Sequence, residues 1–168
     1  PLVLIDENQM RQAVVNVIEP LFEPRFIFDS YSCRIRKGTH AAVRRLRTFL
    51  RRASRNDTKT VYALKCDIRK FFASVDHRIL RTLLARRISG PRVTDLLEEI
   101  IGSFCGISGK GLPLGNLTSQ LFANVYLHEL DRYVKHELRR SFYLRYCDDF
   151  VILASSKDEA SRLAGTVD

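Results

Sequence analysis

A chain of 168 residues, 45% apolar and 28% charged, can bury a real core, which excludes a disordered tail and a fibrous repeat. No apolar run approaches the roughly 18 residues needed to span a bilayer, and the opening PLVLIDENQM lacks the basic and apolar regions of a signal peptide. The net charge of +9 and pI of about 9.7 favour a polyanionic partner, nucleic acid before an acidic membrane surface, although a solvated cationic face would give the same totals.

In chain order, the stretch to about Phe28 is mostly apolar, with Pro20 and Pro24 set to interrupt any long helix. Between Arg34 and Lys59 stand ten Lys/Arg residues and a single acid, Asp57. Val43, Leu46, Leu50 and Ala53 recur there at helical spacing, and Arg44, Arg45, Arg47, Arg51, Arg52 and Arg55 fill much of the remaining surface. The pattern predicts an amphipathic helix with a cationic outer side, suited to phosphates because so little acid compensates it. Residues 60–68 (TVYALKCDI) read as a buried strand ending at Asp67. Asp76 reads as the N-cap of a helix with Ile79, Leu80, Leu83 and Leu84 on its apolar side. Pro91 opens a further helix with Leu96, Leu97, Ile100, Ile101 and Phe104 inward. The segment GISGKGLPLGN is a loop, and a long helix follows from about Thr118 to Arg140. GISGKG is not a phosphate-binding P-loop: the required glycine before Gly109 is missing, and Gly111 stands where Ser or Thr belongs.

Next, SFYLRYCDDFVILAS predicts a hairpin with Asp148 and Asp149 at its turn. Ser156 and Glu159 make a capping box for a last helix. The order of elements predicts an α+β fold. Cys33, Cys66, Cys105 and Cys147 include no CxxC pair, and His40, His77, His128 and His136 form no ligand set, so reduced thiols and no zinc site are expected. The chain begins at Pro1 and stops at Asp168 within a predicted helix, so more chain is expected beyond it.

An Asp-Asp pair at a tight turn is common for conformational reasons alone. Asp67 adds a third carboxylate at a strand end. If that strand neighbours the hairpin, three crowded carboxylates would repel unless cations joined them. Hard oxygen ligands suit Mg²⁺, and two such ions about 4 Å apart can drive in-line phosphoryl displacement.

Four ordered blocks carry a family resemblance: SYSCRIRKGTH, KCDIRKFFASVDH, GLPLGNLTSQLFANVYLHELDRYVK and LRYCDDFVIL. Together they resemble the conserved blocks of reverse transcriptases, roughly from Phe22 to Leu153. The resemblance implies the fingers and palm of a polymerase right hand, with helices over one face of an antiparallel palm sheet and a separate thumb beyond residue 168. Residues 1–60 would contribute fingers with the basic helix, and 61–168 the palm with interleaved fingers elements. It implies Asp67, Asp148 and Asp149 as catalytic metal ligands, with the Ile68 carbonyl joining them around two Mg²⁺ ions that Mn²⁺ can replace. Phe72 falls where the family keeps a ring beneath the sugar, which disfavours ribonucleotides; Phe71 and Phe72 also read as core. Arg34, Arg36 and Lys37 fall where the family places cations on the incoming triphosphate. Arg44, Arg45, Arg47, Arg51 and Arg52 would face nucleic acid.

The loop PLGNLTSQ departs from the QGxxxSP of most group II intron and retron enzymes, with Leu114 for Gln and Gln120 for Pro. The pattern around Leu114, Gly115 and Gln120 resembles diversity-generating retroelement enzymes, which copy a template RNA while mutating its adenines. An apolar contact at Leu114 would discriminate less well than a polar one, so lower fidelity is expected; a simple packing variant is the alternative. The resemblance further implies template RNA, primer and deoxynucleoside triphosphates as partners, a small basic accessory protein, no membrane, and a cytoplasmic site in a bacterial, archaeal or phage system. A group II intron or retron-type enzyme and a non-catalytic nucleic-acid-binding module are the competing readings.

Overall fold

The computed structural model describes residues 6–103 and 109–167; Phe104, Cys105 and part of the GISGKG segment lie outside the described residues. In chain order the elements are α1 (Glu7–Phe22), β1 (Ser30–Tyr31), α2 (Thr39–Ala53), β2 (Tyr62–Asp67), α3 (Phe71–Ser74), α4 (His77–Ala85), α5 (Pro91–Gly102), α6 (Leu117–Arg132), β3 (Tyr143–Tyr146), β4 (Asp149–Ala154) and α7 (Lys157–Val167). They form two compact units, Pro1–Phe26 with Lys70–Glu129 and Ile27–Arg69 with Leu130–Asp168. The sequence boundary expected at residue 60 falls inside the second of these.

The first unit is helical. α1 starts at Asp6, whose carboxylate accepts from the Asn8 N–H, and it runs through Pro20 rather than stopping before it. Proline denies the turn behind it one hydrogen bond, and the helix ends two residues later, so Pro20 trims the helix rather than breaking it. Arg11 of α1 is buried and donates to the Thr118 hydroxyl at 3.2 Å, which gives this charge an internal partner. Asp76 caps α4 as expected, accepting from the N–H groups of Arg78 and Ile79. Leu80, Leu83 and Leu84 are buried, but Ile79 is half exposed and belongs to the outer face. In α5, Leu97, Ile100 and Ile101 are buried.

The second unit contains a four-stranded sheet in the order β1-β3-β4-β2. β2 and β3 both pair antiparallel with β4, while the two-residue β1 adds parallel to β3. So short a strand leaves too little periodicity to be read from sequence. Helices cover both faces of the sheet rather than one. On one face, Tyr143, Phe150, Ile152 and Ala154 pack with Val134 and with Leu163 of α7. On the other, Leu144 and Leu153 pack with Tyr31 and with Ala42 and Phe49 of α2. Both faces of β3 and β4 are apolar, which is why one helical layer does not suffice.

β2 is an edge strand, not the buried strand expected. Leu64 and Cys66 are partly covered, whereas Ala63, Lys65 and Asp67 on the other face are exposed. The buried side of α2 is also turned by one residue from the sequence reading. Ala42 and Phe49 are buried, while Val43 and Leu50 are exposed, because the Phe49 ring removes more apolar surface from water than Leu50 would. After α6 the chain forms a π turn over Tyr133–Glu137, where the Leu138 N–H donates to the Tyr133 carbonyl. The long helix expected to Arg140 therefore loosens before its end.

Candidate active site

The β3–β4 hairpin is closed by a two-residue turn, Cys147-Asp148, with Tyr146 and Asp149 in register across it. Cys147 has φ 55, and positive φ is the sense that matches a right-twisted hairpin, although it strains a residue other than glycine. On its other side, Asp149 is the register partner of Asp67. The condition set by the sequence is thus met: the strand ending at Asp67 lies beside the acidic hairpin. Directly opposed residues project from the same face of a sheet, so the Asp67 and Asp149 carboxylates share one end of one face. Asp148 is the residue before Asp149, in the turn itself.

Charge at this end is partly balanced from within. Lys65, two residues before Asp67 and on its face, lies 3.4 Å from the Asp149 carboxylate. Both side chains are well exposed, so the pair is screened and weak. Among the described residues no three His, Cys, Asp or Glu side chains converge as a formed metal cluster. The Tyr146 hydroxyl is hydrogen-bonded to the Thr39 hydroxyl at 2.9 Å, tying the hairpin to the N-terminal turn of α2. Burial first, and then the neighbouring Asp148, push the Cys147 thiol up to about 11. Ile68 packs its side chain against the core cluster beneath the sheet, which fixes the backbone just after Asp67.

Two further acids of this unit are buried, and no pattern in the sequence signals either. Asp131 is fully buried and receives two hydrogen bonds from Arg145, Nε to Oδ1 at 2.8 Å and Nη2 to Oδ2 at 2.7 Å. The Tyr143 hydroxyl donates to the same carboxylate at 2.7 Å. Burial and then the Asp131 charge hold the Tyr143 phenol far above its ordinary range. Asp29 is the second buried acid; it accepts from Arg45 Nε at 2.7 Å and from Lys135 Nζ at 2.9 Å. An Arg inside an apolar strand and a lone Asp before a short strand carry no periodic signal. Only the buried partner reveals them.

The sequence-predicted cations separate accordingly. Arg45 is tied to Asp29 and lies over the Phe49 ring, 4.6 Å from its centroid. Arg44, Arg47, Arg51 and Arg52 are exposed along α2. Arg34 donates through Nη1 to the carbonyls of Ile27 and Ser30 at 2.8 and 2.9 Å. Lys37 donates to the Phe28 carbonyl and sits over its ring at 3.4 Å. Arg36, at φ 62, is exposed.

The remaining predicted positions belong to the helical unit. Phe71 is buried at 3% exposure and packs edge-on against Phe72 and Tyr126. Phe72 is only partly buried. Its carbonyl accepts from the Leu112 N–H at 2.7 Å, the Gly111 N–H donates to the Val75 carbonyl, and His77 Nε2 lies 2.6 Å from the Gly111 carbonyl. These bonds fasten the segment before Leu114 to the Phe72 turn. Leu114 itself is 76% exposed and Gly115 has φ +84, so Leu114 is not a packing residue of this chain. Gln120 is partly buried three residues into α6.

Comparisons with known proteins identify the family. The family model described as reverse transcriptase (RNA-dependent DNA polymerase) matches residues 2–168. Protein YkfC of Escherichia coli strain K12 is 31% identical over 135 residues, 76% of this chain and 34% of that protein. The retron Ec73 reverse transcriptase of Escherichia coli is 33% identical over 116 residues, 64% of this chain and 36% of its own length. The group II intron-encoded protein LtrA of Lactococcus lactis subsp. cremoris is 26% identical over 134 residues, 76% of this chain and 21% of its own. The chain thus spans about a third or less of these relatives. Apo telomerase from Candida tropicalis shares the fold, with a TM-score of 0.65 at 13% identity over 93% of this chain and 33% of that one. No helix among the described residues is long and apolar enough to cross a membrane. On the family match along its whole described length, this chain belongs to the reverse transcriptase family, and its α+β architecture is the fingers-and-palm fold of that family.

Proposed function

We propose that this chain is the fingers-and-palm portion of an RNA-directed DNA polymerase that copies a template RNA into DNA, in a diversity-generating retroelement. The observation that carries the reading is the register pair Asp67–Asp149 with Asp148 in the adjoining two-residue turn. The donor set fits a hard divalent cation: carboxylate oxygens on one face at a sheet end, with the Ile68 backbone held beside them by its core contacts. Asp67, Asp148, Asp149 and the Ile68 carbonyl would hold Mg²⁺ or Mn²⁺. When bound, a pair of such ions activates the primer 3′-hydroxyl and stabilises the oxygen leaving the α-phosphate.

The chain's own residues do the rest by position. Phe72, partly exposed beside the buried Phe71, supplies the ring under the sugar that disfavours a 2′-hydroxyl. Arg34 and Lys37 are engaged with backbone carbonyls, so Arg36 is the fingers cation assigned to the incoming triphosphate. Arg44, Arg47, Arg51 and Arg52 present an exposed cationic row to the nucleic-acid backbone. Leu114 is exposed, which favours its contact with a partner over a packing role, and together with Gln120 it supports the diversity-generating assignment. Deoxynucleotides, template RNA and a small basic accessory protein follow as partners.

The test is primer extension on a defined RNA template with the full-length protein, Asp148→Ala as control, and sequencing of the product. Divalent-ion-dependent synthesis with errors concentrated opposite template adenines is expected. Faithful synthesis would place the chain with the group II intron and retron enzymes that its relatives include. RNA binding without synthesis would leave a binding module.

A further inference from the structure

Asp131 and Arg145 form an ion pair in which both side chains have 0% exposure. Taking two charges out of water carries a large desolvation penalty, and apolar residues of equal volume often stabilise a core as well or better. Stability alone is therefore a weak reason for this pair. Its geometry supplies a better one. Arg145 uses Nε and Nη2 on the two Asp131 oxygens, which fixes the plane of the guanidinium. The Tyr143 hydroxyl donates to Asp131 Oδ1 and fixes the carboxylate in turn. The remaining edge of Arg145 points at the hairpin tip, where Nη1 donates to the Cys147 carbonyl at 2.8 Å. Cys147 carries the positive φ of the turn, a conformation that strains a non-glycine residue and needs to be held. The next two residues are Asp148 and Asp149.

We propose that Arg145, locked by Asp131 and Tyr143, is a positioning residue for the acidic turn: it clamps the Cys147 carbonyl and thereby sets the direction of the Asp148 and Asp149 carboxylates. Arg145 touches no reacting group itself. The inference rests on the reading of those aspartates as metal-holding. A lysine cannot substitute, because a single ammonium does not reproduce the planar fork that grips Asp131 and the turn together.

The experiment uses the full-length protein with Arg145→Lys, the volume-conserving pair Asp131→Leu/Arg145→Met, and Asp148→Ala. Folding is followed by urea unfolding, Mn²⁺ binding by electron paramagnetic resonance without nucleotide, and kcat and KM by primer extension. In a folded variant, kcat falls on the order of 100-fold, as expected when reacting groups shift by about 1 Å, while the KM for deoxynucleotide changes less than about threefold. Mn²⁺ binding weakens in the same variants. Wild-type kcat and Mn²⁺ binding in a folded variant, or loss of the fold in both Arg145 variants, would reduce the network to a structural anchor and overturn the assignment. If Asp148→Ala itself retains synthesis and Mn²⁺ binding, the metal-holding reading fails independently of Arg145.

Discussion

Arg45 separates two roles that a run of arginines conceals. Its Nε donates to the buried Asp29 carboxylate at 2.7 Å, and its guanidinium lies 4.6 Å from the Phe49 centroid. The Asp29 side chain is 7% exposed and Arg45 is 30% exposed, so the pair is neither surface-screened nor fully desolvated. A charge-assisted hydrogen bond to a buried carboxylate contributes about 1.5–3 kcal/mol, and a partly exposed cation–π contact about 0.5–1 kcal/mol. Lys135 remains on Asp29 after the change, which offsets part of the loss. Arg45→Ala should therefore destabilise the protein by about 2 kcal/mol in urea unfolding. It should leave the salt dependence of RNA binding unaltered. Replacing Arg44, Arg47, Arg51 and Arg52 together by Ala should do the opposite: a stability change within about 0.5 kcal/mol per position, because these positions are exposed, and a shallower salt dependence. Each lost single-strand phosphate contact lowers the slope of log affinity against log salt by about 0.7. Both quantities come from one protein series, by urea titration and by fluorescence anisotropy with a labelled RNA at several salt concentrations. If Arg45→Ala leaves stability untouched and lowers the salt slope as the others do, the division of roles is wrong.

The two adjacent phenylalanines should also part company. Phe71→Ala should cost about 3–5 kcal/mol as a core truncation, whereas Phe72→Ala should cost less and raise ribonucleotide incorporation, read from the ratio of kcat/KM values for the two sugars. Hydrogen bonds from the Ser155 hydroxyl and N–H, then the Arg140 guanidinium, hold the Glu159 carboxyl below its ordinary value of 4.5. The stabilisation is complete above that pH and is lost as pH falls through the lower folded value, so Glu159→Gln should flatten the acid limb of a stability–pH curve. With the Cys147 thiol pushed up to about 11 and only partly exposed, little of it is thiolate at pH 8, so iodoacetamide should label Cys147 slowly, and well after the exposed Cys33, in a peptide-mapped time course. Leu114→Gln should lower misincorporation opposite template adenine several-fold with little change in folding, and an unchanged error spectrum by product sequencing would remove Leu114 from the fidelity argument.

The hairpin, the cap at Asp76 and the cationic helix were legible because each has a local cause: turn residues between β-rich runs, a carboxylate before a helix, and a 3.6-residue period. The adjacency of Asp67 and Asp149 was legible only as a condition, since register depends on which strands pair, and pairing is not local. Two errors have the same origin. In α2, the sets Val43–Leu46–Leu50 and Ala42–Leu46–Phe49 are both helical in spacing, and the sheet face that receives Phe49 decides between them. In β2, an apolar run predicts a buried strand, yet it lies at the sheet edge, where Ala63 and Tyr62 stay exposed. Asp131, Asp29 and Arg145 were invisible for a stronger reason. A buried charge is tolerated only through a partner, and each partner here is more than ten residues away in sequence or on another element.

The two kinds of carboxylate in the sheet unit have opposite environments, and that contrast argues for different work. Asp131 and Asp29 are buried and each takes at least two hydrogen bonds from cations or hydroxyls. Their capacity is used up inside the protein: Asp131 ties β3 to α6, and Asp29 ties the segment before β1 to α2 and to Lys135. Asp67 is exposed, and among the described residues Asp149 has one screened ion pair, to Lys65, so these oxygens retain most of their capacity to accept. A fold that needed the outer acids for its own stability would have given them such partners. Instead the Asp131–Tyr143–Arg145 network holds the Cys147 carbonyl, just before the outer acids, without drawing on them. Asp67 and Asp149 are thereby left side by side with most of their oxygen capacity uncommitted, which is the condition a site must meet to bind cations that arrive with a substrate phosphate.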